Sequence, residues 1–389
     1  MKLAIVSLVY KLTLPESKGG AEVWISNFAL ECARRDHQID LYAVKGSMEG
    51  GNITLISTLD KPVSEYYEDE YFRKPDASIS GRRAGKFTST IYARILNQVR
   101  KREMLYDVII DSTASPLFSF NADTLDKPVL TIGHDPPDFA SNFYAKVFGW
   151  PSNSVAVFPS QFQRDRAEFI PESKRVTIPH GIELKSFKHT LGGRSHMLWM
   201  SRIDYPHMDK GVSEAMHISK VLDRQLRASG YVERSSRNYV EETLKPLITQ
   251  NVMFEEQNAL APMDKNSVFG SARLFLFPTK WEEPFGIVLL ESMACGTPVV
   301  AYARGAIPEI VIDGVTGFVV NPSEDDIRGK FVVKKTGIEG LCEAVERIYA
   351  MGPGDYAQMR KDCRSHVEQH FTVQRMVDEY ERLFQRLKR

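Results

Sequence analysis

Cysteine is scarce in this chain, with four residues among 389. They are scattered, without a C-x-x-C pair and without a histidine at metal-ligand spacing, which excludes a disulfide framework and the common zinc sites. The pattern is typical of reduced thiols in a cytosolic protein. The four residues are Cys32, Cys295, Cys342 and Cys363.

Neither sign of charge predominates, because 50 Lys and Arg residues balance 50 Asp and Glu residues. No global field would therefore attract nucleic acid, and we expect no nucleic-acid partner. No apolar run approaches the ~20 residues that span a bilayer. The opening MKLAIVSLVYKL lacks a small-residue cleavage site, and we interpret it as a buried strand and not as a signal peptide. We expect a cytoplasmic protein, at most peripheral at the inner face of the membrane.

The first half of the chain alternates short apolar runs with helical patterns. The runs are rich in Val and Ile without strict alternation, as in strands buried on both faces. Apolar residues at helical spacing in 21–35 separate the first two runs, and such a βαβ series predicts a parallel sheet covered by helices. The predicted strands are 2–9, 38–44, 107–111, 128–134, 154–160 and 175–181.

A polar linker near 183–196 interrupts this rhythm, which restarts with MLWMS, LFLFPT, TPVVAY and GFVV. Because 389 residues exceed what one core usually supports, we predict two α/β domains, each a doubly wound, Rossmann-like parallel sheet. The predicted domains are 1–185 and 186–370, facing a cleft in which a ligand would bind. The amphipathic segment 371–389 is predicted to be a helix that packs back on the first domain.

The stretch KWEEPFGIVLLESMACGTPVVAY (280–302) holds two glutamates, Glu283 and Glu291. Pro284 suits the first position of a helix, predicted over 284–295, which places the two acids about 12 Å apart along its axis. Glycosidase carboxylates lie about 5 to 9.5 Å apart, so this spacing disfavours that chemistry and suits a long ligand. The alternative is a capping glutamate and an exposed one.

The loop before this predicted helix offers an anion site. Backbone N–H groups of Phe285, Gly286 and Ile287 would lack helical partners, and Gly286 would let a ligand come close.

The segment from 277 to 320, FPTKWEEPFGIVLLESMACGTPVVAYARGAIPEIVIDGVTGFVV, resembles the signature of retaining glycosyltransferases of the GT-B fold, family 4 (group 1). The resemblance implies a nucleotide-diphosphate sugar as donor and a glycan, lipid-linked or small-molecule acceptor. It implies that Glu283 contacts the donor sugar and that Glu291 holds the ribose. The amides of Phe285, Gly286 and Ile287 would contact sugar and phosphates.

Two cations look like the arginine and lysine that clamp the diphosphate in that family. Arg202 and Lys210 follow a strand in WMSRIDYPHMDKG, but the insert DYPHM makes their spacing longer than the usual pattern. A guanidinium fork and an ammonium point charge would both stabilise a departing diphosphate. The alternative is that both are ordinary surface cations.

Two features of the first domain match the family as well. Gly19 and Gly20 precede a helix, where the resemblance implies a glycine loop that approaches phosphate or acceptor. His134 ends a strand, where the resemblance implies contact with the transferred sugar. Taken without the resemblance, a plain loop and a structural histidine are the commoner interpretations.

No D-x-D motif and no G-x-x-x-x-G-K-[ST] occur, so we predict metal-independent hexosyl transfer without a cofactor and no Walker-type ATP site. The region 227–260 departs most from the family pattern, and the base is left open. Two rivals remain: a nucleotide-sugar-binding protein without turnover, and an epimerase or phosphorylase on the same fold.

Residues 72–102 hold nine basic residues against Asp76 alone. A solvated loop and helix face is one interpretation. The other is contact with an anionic acceptor or membrane surface.

Overall fold

The computed structural model describes residues 1–17, 19–66, 77–113, 115–137, 139–190, 195–257 and 264–387, with the backbone alone at 77–85 and 139–141. The chain forms two compact units. Met1–His180 and Val373–Arg389 make up the first, and Gly181–Thr372 the second.

The first unit is built on a seven-stranded parallel sheet in the order β3-β2-β1-β4-β5-β6-β7. The order reverses between β1 and β4, which is where an open α/β sheet binds ligands. The strands are β1 (Lys2–Val6), β2 (Gln38–Ala43), β3 (Ile53–Ser57), β4 (Val108–Asp111), β5 (Val129–Ile132), β6 (Ser154–Phe158) and β7 (Arg175–Thr177).

Helices connect these strands. From β1 the chain moves towards one edge of the sheet, and from β3 onward it moves towards the other edge. Because crossovers between parallel strands are right-handed, the helix after β1 lies on one face of the sheet, and the helices after β3, β5 and β6 lie on the other. The helices are α1 (Gly20–Arg34), α2 (Val63–Tyr66), α3 (Ala77–Arg102), α4 (Pro116–Ser119), α5 (Phe139–Phe148) and α6 (Gln161–Arg166).

The second unit repeats the plan with a six-stranded parallel sheet in the order β10-β9-β8-β11-β12-β13. Its order reverses between β8 and β11. The strands are β8 (Met197–Ile203), β9 (Leu226–Val232), β10 (Val252–Glu256), β11 (Leu274–Phe277), β12 (Val299–Tyr302) and β13 (Gly317–Val320). The helices are α7 (Val212–Leu222), α8 (Arg237–Tyr239), α9 (Lys265–Ser271), α10 (Ile287–Ala294), α11 (Ile307–Ile310), α12 (Gly337–Ala350) and α13 (Pro353–His370).

The last helix, α14 (Val373–Leu387), packs on α1 of the first unit. Its Tyr380 ring lies 4.8 Å from the ring of Phe28. Arg35 donates to Asp378 at 2.6 Å and to Glu381 at 2.9 Å. The fully buried Trp24 donates its indole N–H to the sulfur of Met376 at 3.0 Å. Apolar packing and charge pairing together hold this helix, as its amphipathic pattern requires.

The strands predicted in the first half and around MLWMS, LFLFPT, TPVVAY and GFVV are all present. Three strands lie outside the runs that the pattern indicated. One is β9, which lies between β8 and β10 and whose apolar residues are interrupted by Arg227, Ser229 and Gly230. The other two, β3 and β10, form edges of their sheets. Both are only partly buried, with one buried residue each. An edge strand needs fewer apolar side chains than a central one, so neither has the continuous apolar run that indicated the others.

None of the described helices combines the length and apolar character that a membrane crossing needs.

Candidate functional site

The carboxyl ends of β8, β11 and β12 lead into three loops that meet at one edge of the second sheet. The first carries Lys210, the second Glu283, and the third Gly305. Because β8 and β11 flank the reversal of strand order, this edge is the expected ligand site of the unit.

Lys210 and Glu283 form an ion pair at this edge. Lys210 Nζ lies 2.5 Å from Glu283 Oε2, and both side chains are only about a tenth exposed, at 11% and 12%. The ammonium also lies 5.8 Å from the ring centroid of Trp281 and 5.9 Å from that of Phe277. An aromatic wall on one side and a carboxylate on the other fix the position of the charge.

The insert before Lys210 folds back on itself and so preserves the position of the lysine. Asp204 and Met208 pair across it in an antiparallel bridge, with the Met208 N–H 2.6 Å from the Asp204 carbonyl oxygen. The carbonyl of Lys210 then accepts from the indole of Trp199 on β8 at 2.9 Å. The unusual spacing is therefore taken up in a small turn, and Lys210 still reaches Glu283.

The loop that carries Glu283 is held from the β12 side. The Ala306 N–H donates to the Glu283 carbonyl at 2.8 Å, and the Gly305 N–H donates to Glu282 Oε2 at 2.7 Å. Gly305 has φ of +58°, and a Cβ there would collide with the Glu283 backbone. Only glycine permits this approach of the two loops.

Glu282 is tied down by two arginines. Arg304 lies 3.0 Å and Arg328 2.7 Å from its carboxylate. Burial acts to raise the pKa of Glu282, but the hydrogen bonds from Arg328, Arg304 and Gly305 outweigh it and lower the pKa below its ordinary value. Glu282 therefore stays ionised and anchors the loop while its neighbour Glu283 faces Lys210.

The predicted helix over 284–295 is wrong at its beginning, because α10 starts at Ile287. Gly286 caps it with φ of +96° and ψ of +61°, a left-handed conformation that a continuing helix cannot contain. Pro284 therefore lies in the loop, and Glu283 precedes the helix by four residues. The estimate of a 12 Å separation along one axis does not apply.

Phe285 and Ile287 flank Gly286 at this turn. The side chain of Phe285 is buried and its ring lies 6.0 Å from that of Phe371. Packing therefore anchors the turn, and what Phe285 offers to the loop surface is its backbone. The donor contacts of these amides stay a prediction.

Glu291 lies on α10 and is buried, with its carboxylate hydrogen-bonded to Lys265 Nζ on α9. Asp264 caps α9 through the Ser267 N–H at 3.2 Å and so fixes where Lys265 begins the helix. Lys265 was missed from the sequence, because only folding brings it beside Glu291.

Arg202 leaves the end of β8 and is about two-fifths exposed, at 43%. Its guanidinium lies 3.6 Å from Glu233 and 3.9 Å from Asp204. Arg202 and Lys210 line the same small cavity. The structure therefore brings both predicted cations to one place and leaves the guanidinium accessible.

His134 follows β5 in the first unit and faces an aromatic cluster. Its ring lies 5.1 Å from that of Trp24 and 5.9 Å from that of His180. Among the described residues its Nε2 has no hydrogen-bond partner. Burial lowers the pKa of His134 to about 4, so the ring is neutral near pH 7.

Gly19 and Gly20 begin α1, with Gly19 as its cap. A Cβ on Gly19 would collide with the carboxylate of Glu22, a buried side chain of the first helical turn. Glycine at the cap leaves room for the Glu22 carboxylate, and an acid in the first turn is stabilised by the positive end of the helix. Contact of this loop with phosphate or acceptor stays a prediction.

Asp111 was not singled out from the sequence, although it ends β4 at the edge where the strand order reverses. It is fully buried and accepts from Thr113 Oγ1 at 2.6 Å and Ser119 Oγ at 2.9 Å. Burial raises its pKa despite these hydrogen bonds. The signal was present as an acid closing an apolar run, DVIIDST.

Across the described parts of the chain, no three His, Cys, Asp or Glu side chains are grouped closely enough to hold a metal ion. The expectation of metal-independent chemistry stays a prediction.

The stretch that carries the charged edge is similar to a known protein family. Residues 187–331 match the family model described as "Glycosyl transferases group 1". The match covers Arg202, Lys210, Glu283 and Glu291. This stretch is similar to that family, and the match covers less than half of the chain. The family predicted from the 277–320 segment is therefore confirmed.

A curated relative is the alpha-maltose-1-phosphate synthase of Mycobacterium tuberculosis, which is 43% identical to this chain over 77 residues. That stretch is 20% of this chain and 20% of the relative. The chain thus spans about a fifth of the length of the first curated relatives it matches.

Solved structures match over the whole chain. Sucrose-phosphate synthase from Thermosynechococcus elongatus has a TM-score of 0.74 at 18% identity, covering 100% of this chain and 99% of that one. HepE of Anabaena, in complex with UDP and glucose, has a TM-score of 0.69 at 17% identity, covering 99% of each chain. At these identities the likeness shows the fold, and the predicted GT-B fold is confirmed.

Proposed function

We propose that the chain is a retaining hexosyltransferase that takes its sugar from a nucleoside-diphosphate donor. The observation that carries the proposal is the paired charge at the edge of the second sheet, where Lys210 meets Glu283 and Lys265 meets Glu291. Each pair joins a cation that suits phosphate to an acid that suits sugar hydroxyls. A ligand that carries phosphates and sugar hydroxyls, spaced like these two pairs, would bind along this edge.

Lys210 supplies positive charge to the diphosphate as the glycosidic bond loosens, and Arg202 adds a guanidinium fork. In the absence of ligand, the Glu283 carboxylate neutralises Lys210. When the donor binds, its phosphates replace that partner, and Glu283 turns to hydroxyls of the sugar. In this exchange Lys210 keeps an anionic partner and the Glu283 carboxylate keeps hydrogen-bond donors, so neither charged group is left without a partner.

Glu291 accepts from the hydroxyls of the nucleotide ribose in this proposal. Its carboxylate is already held by Lys265, so it needs no reordering when the nucleotide arrives. The family resemblance supports retention of the anomeric configuration. A phosphate oxygen of the leaving group, on the same face as the departing bond, then accepts the acceptor's proton.

The experiment is a thermal-shift screen of UDP-, GDP- and ADP-sugars, because a ligand that binds only the folded state raises its apparent stability. HepE was solved with UDP, so UDP-sugars are the first to test. The sugar that shifts the melting temperature is then incubated with candidate acceptors, with and without EDTA. Transfer with retained configuration, unchanged by EDTA, supports the proposal.

Product analysis separates the rivals. Binding without transfer or donor hydrolysis would indicate a binding protein. A changed sugar with donor alone would indicate an epimerase, and a sugar phosphate formed with inorganic phosphate would indicate a phosphorylase. No shift with any donor in the panel would contradict the proposal.

A further inference from the structure

The helix α5 presents its large apolar side chains to solvent. Among its described side chains, those of residues 142–148, only Ala145 is buried. Phe143 and Val147 are each 55% exposed and Phe148 is 68% exposed. A surface helix of a globular protein normally turns such residues towards the core, whereas here they face solvent. Exposed apolar groups of this size mark an interaction surface.

Aromatic contacts organise these side chains into one patch. Tyr144 stacks on Phe148 with centroids 6.2 Å apart, and its ring lies 6.3 Å from that of Phe143. Phe120 supports Tyr144 at 5.7 Å, and Trp150 lies 5.6 Å from Phe120. We call Phe143, Tyr144, Val147 and Phe148 the aromatic patch. Its rings hold one another in place without a covering element among the described residues.

Basic residues are concentrated on the face of the sheet that carries the patch. The sequence of α5 contains Lys146 and no acidic residue. The helix α3 also lies on the face of the sheet that carries α5, because the crossovers after β3 and β5 run in the same direction. Its 26 residues include seven basic side chains and no acidic one. Lys86, Arg94, Arg100 and Lys101 are exposed.

We propose that the aromatic patch docks on an anionic lipid bilayer, with α3 supplying the electrostatic attraction. An amphipathic helix lies in the membrane interface when aromatic side chains enter the headgroup boundary and Lys or Arg face anionic lipid. The membrane contact predicted for residues 72–102 would thus be joined by apolar insertion of the aromatic patch. Residues 72–76 of that segment lie outside the described residues. The proposal is independent of the donor chemistry.

A second copy of the chain is a poorer occupant. A two-fold interface would place the same surface on both subunits, so the basic face of one α3 would approach that of the other. The like charges would oppose the association that the apolar patch favours. A lipid surface supplies the opposite sign.

The test is co-sedimentation of the full chain with vesicles of phosphatidylcholine alone and of phosphatidylcholine with phosphatidylglycerol. The double variant Phe143→Ser, Phe148→Ser removes two exposed rings and leaves the core unchanged. Its control, Val221→Ser with Met253→Ser, removes two apolar side chains of the second unit that are 56% and 59% exposed. We expect the wild type and the control to bind the anionic vesicles alike, and the patch variant to bind at least tenfold more weakly.

Charge is tested separately with Arg94→Glu and Arg100→Glu. This variant should lose binding to the anionic vesicles, and rising salt should weaken the wild type in the same way. Wild-type binding that is absent, or equal in the patch variant, overturns the proposal. So does a wild type that self-associates without lipid and becomes monomeric in the patch variant, because the patch would then face a second copy. The donor-induced thermal shift of each variant reports separately on the proposed enzyme function.

Discussion

The two sheets share one architecture, but they differ in charge where ligands are expected to bind. In the second unit the carboxyl edge carries two pairs of oppositely charged residue types, Lys210 with Glu283 and Lys265 with Glu291. At the corresponding edge of the first unit, burial lowers the pKa of His134 and raises the pKa of Asp111, so both are biased towards their neutral forms. The same fold therefore separates a charged site, suited to a diphosphate, from one suited to uncharged groups.

The largest effect should follow from breaking the pair that contacts sugar and phosphate. Lys210→Ala removes the charge that stabilises the leaving diphosphate, and we expect transfer to fall by about 10²–10³-fold in kcat. Glu283→Ala should abolish transfer while nucleotide affinity stays within a few-fold. Steady-state kinetics and isothermal titration measure the two quantities.

Lys245→Ala is the matched control for Lys210, since Lys245 also pairs with a glutamate, Glu241, but on an exposed helix surface. Its kinetics should equal those of the wild type. Full activity of both Lys210→Ala and Glu283→Ala would refute the assignment of the charged edge to catalysis.

A smaller effect, on binding, should follow from changing the other pair. Glu291→Gln weakens the hydrogen bonds to the ribose, and a bond to a charged group contributes about 1.5–3 kcal/mol. We therefore expect the Kd of the nucleotide to rise by roughly 10- to 100-fold, measured by titration calorimetry with the nucleoside diphosphate. Glu346→Gln, which changes a glutamate of α12 that pairs with Arg224, should leave the Kd unchanged. An unaltered Kd in Glu291→Gln would remove the ribose role.

The third prediction concerns the loop that positions Glu283. Gly305→Ala adds a Cβ at φ of +58° against the Glu283 backbone, and we expect destabilisation by more than about 1 kcal/mol together with reduced transfer. Gly354→Ala is the matched control, because it lies in α13 and a Cβ there would meet no heavy atom within 4 Å. Urea denaturation compares the two. Equal stabilities would show that the two loops are not locked together.

The fourth prediction concerns how the stability of the first unit depends on pH through His134. The folded protein holds His134 with a pKa of about 4, whereas the unfolded chain binds this proton near pH 6.5. Between these values the unfolded state binds more protons, so the free energy of unfolding falls as the pH falls from about 6.5 to 4. In His134→Asn, the free energy of unfolding should fall by less between pH 6.5 and 4, with a difference from the wild type of up to about 3 kcal/mol.

His180 is also buried with a lowered pKa and should account for a remaining slope. Replacement of the exposed His217 by Asn provides the control and should leave the profile unchanged. A His134→Asn profile that matches the wild type would mean that the ring is not held neutral by burial.

Most strands and the family resemblance could be predicted from the sequence. The apolar runs predicted the central strands other than β9, because burial on both faces leaves a continuous apolar signal. The 277–320 segment predicted the family. The start of α10 was misplaced, because the Pro284 signal outweighed the left-handed turn that Gly286 adopts. Local pattern rules cannot weigh a proline against a glycine two residues later.

The partners of the predicted residues could not be predicted. Lys265 meets Glu291 across 26 positions, and Lys210 meets Glu283 across 73. Such pairs depend on how two helices or loops pack, which neither periodicity nor composition encodes. The exposed rings of α5 were missed for a related reason, since a helical apolar pattern predicts a buried face and does not show which face the fold covers.

The central claim is that one donor engages both charged pairs of the second unit, and a crystal structure with a non-hydrolysable nucleoside-diphosphate sugar tests it most directly. We predict ribose hydroxyls within about 2.6–3.2 Å of the Glu291 carboxylate, sugar hydroxyls at that distance from Glu283, and phosphates beside Lys210. A ligand bound elsewhere on the chain, with both ion pairs intact and out of its reach, would contradict the claim.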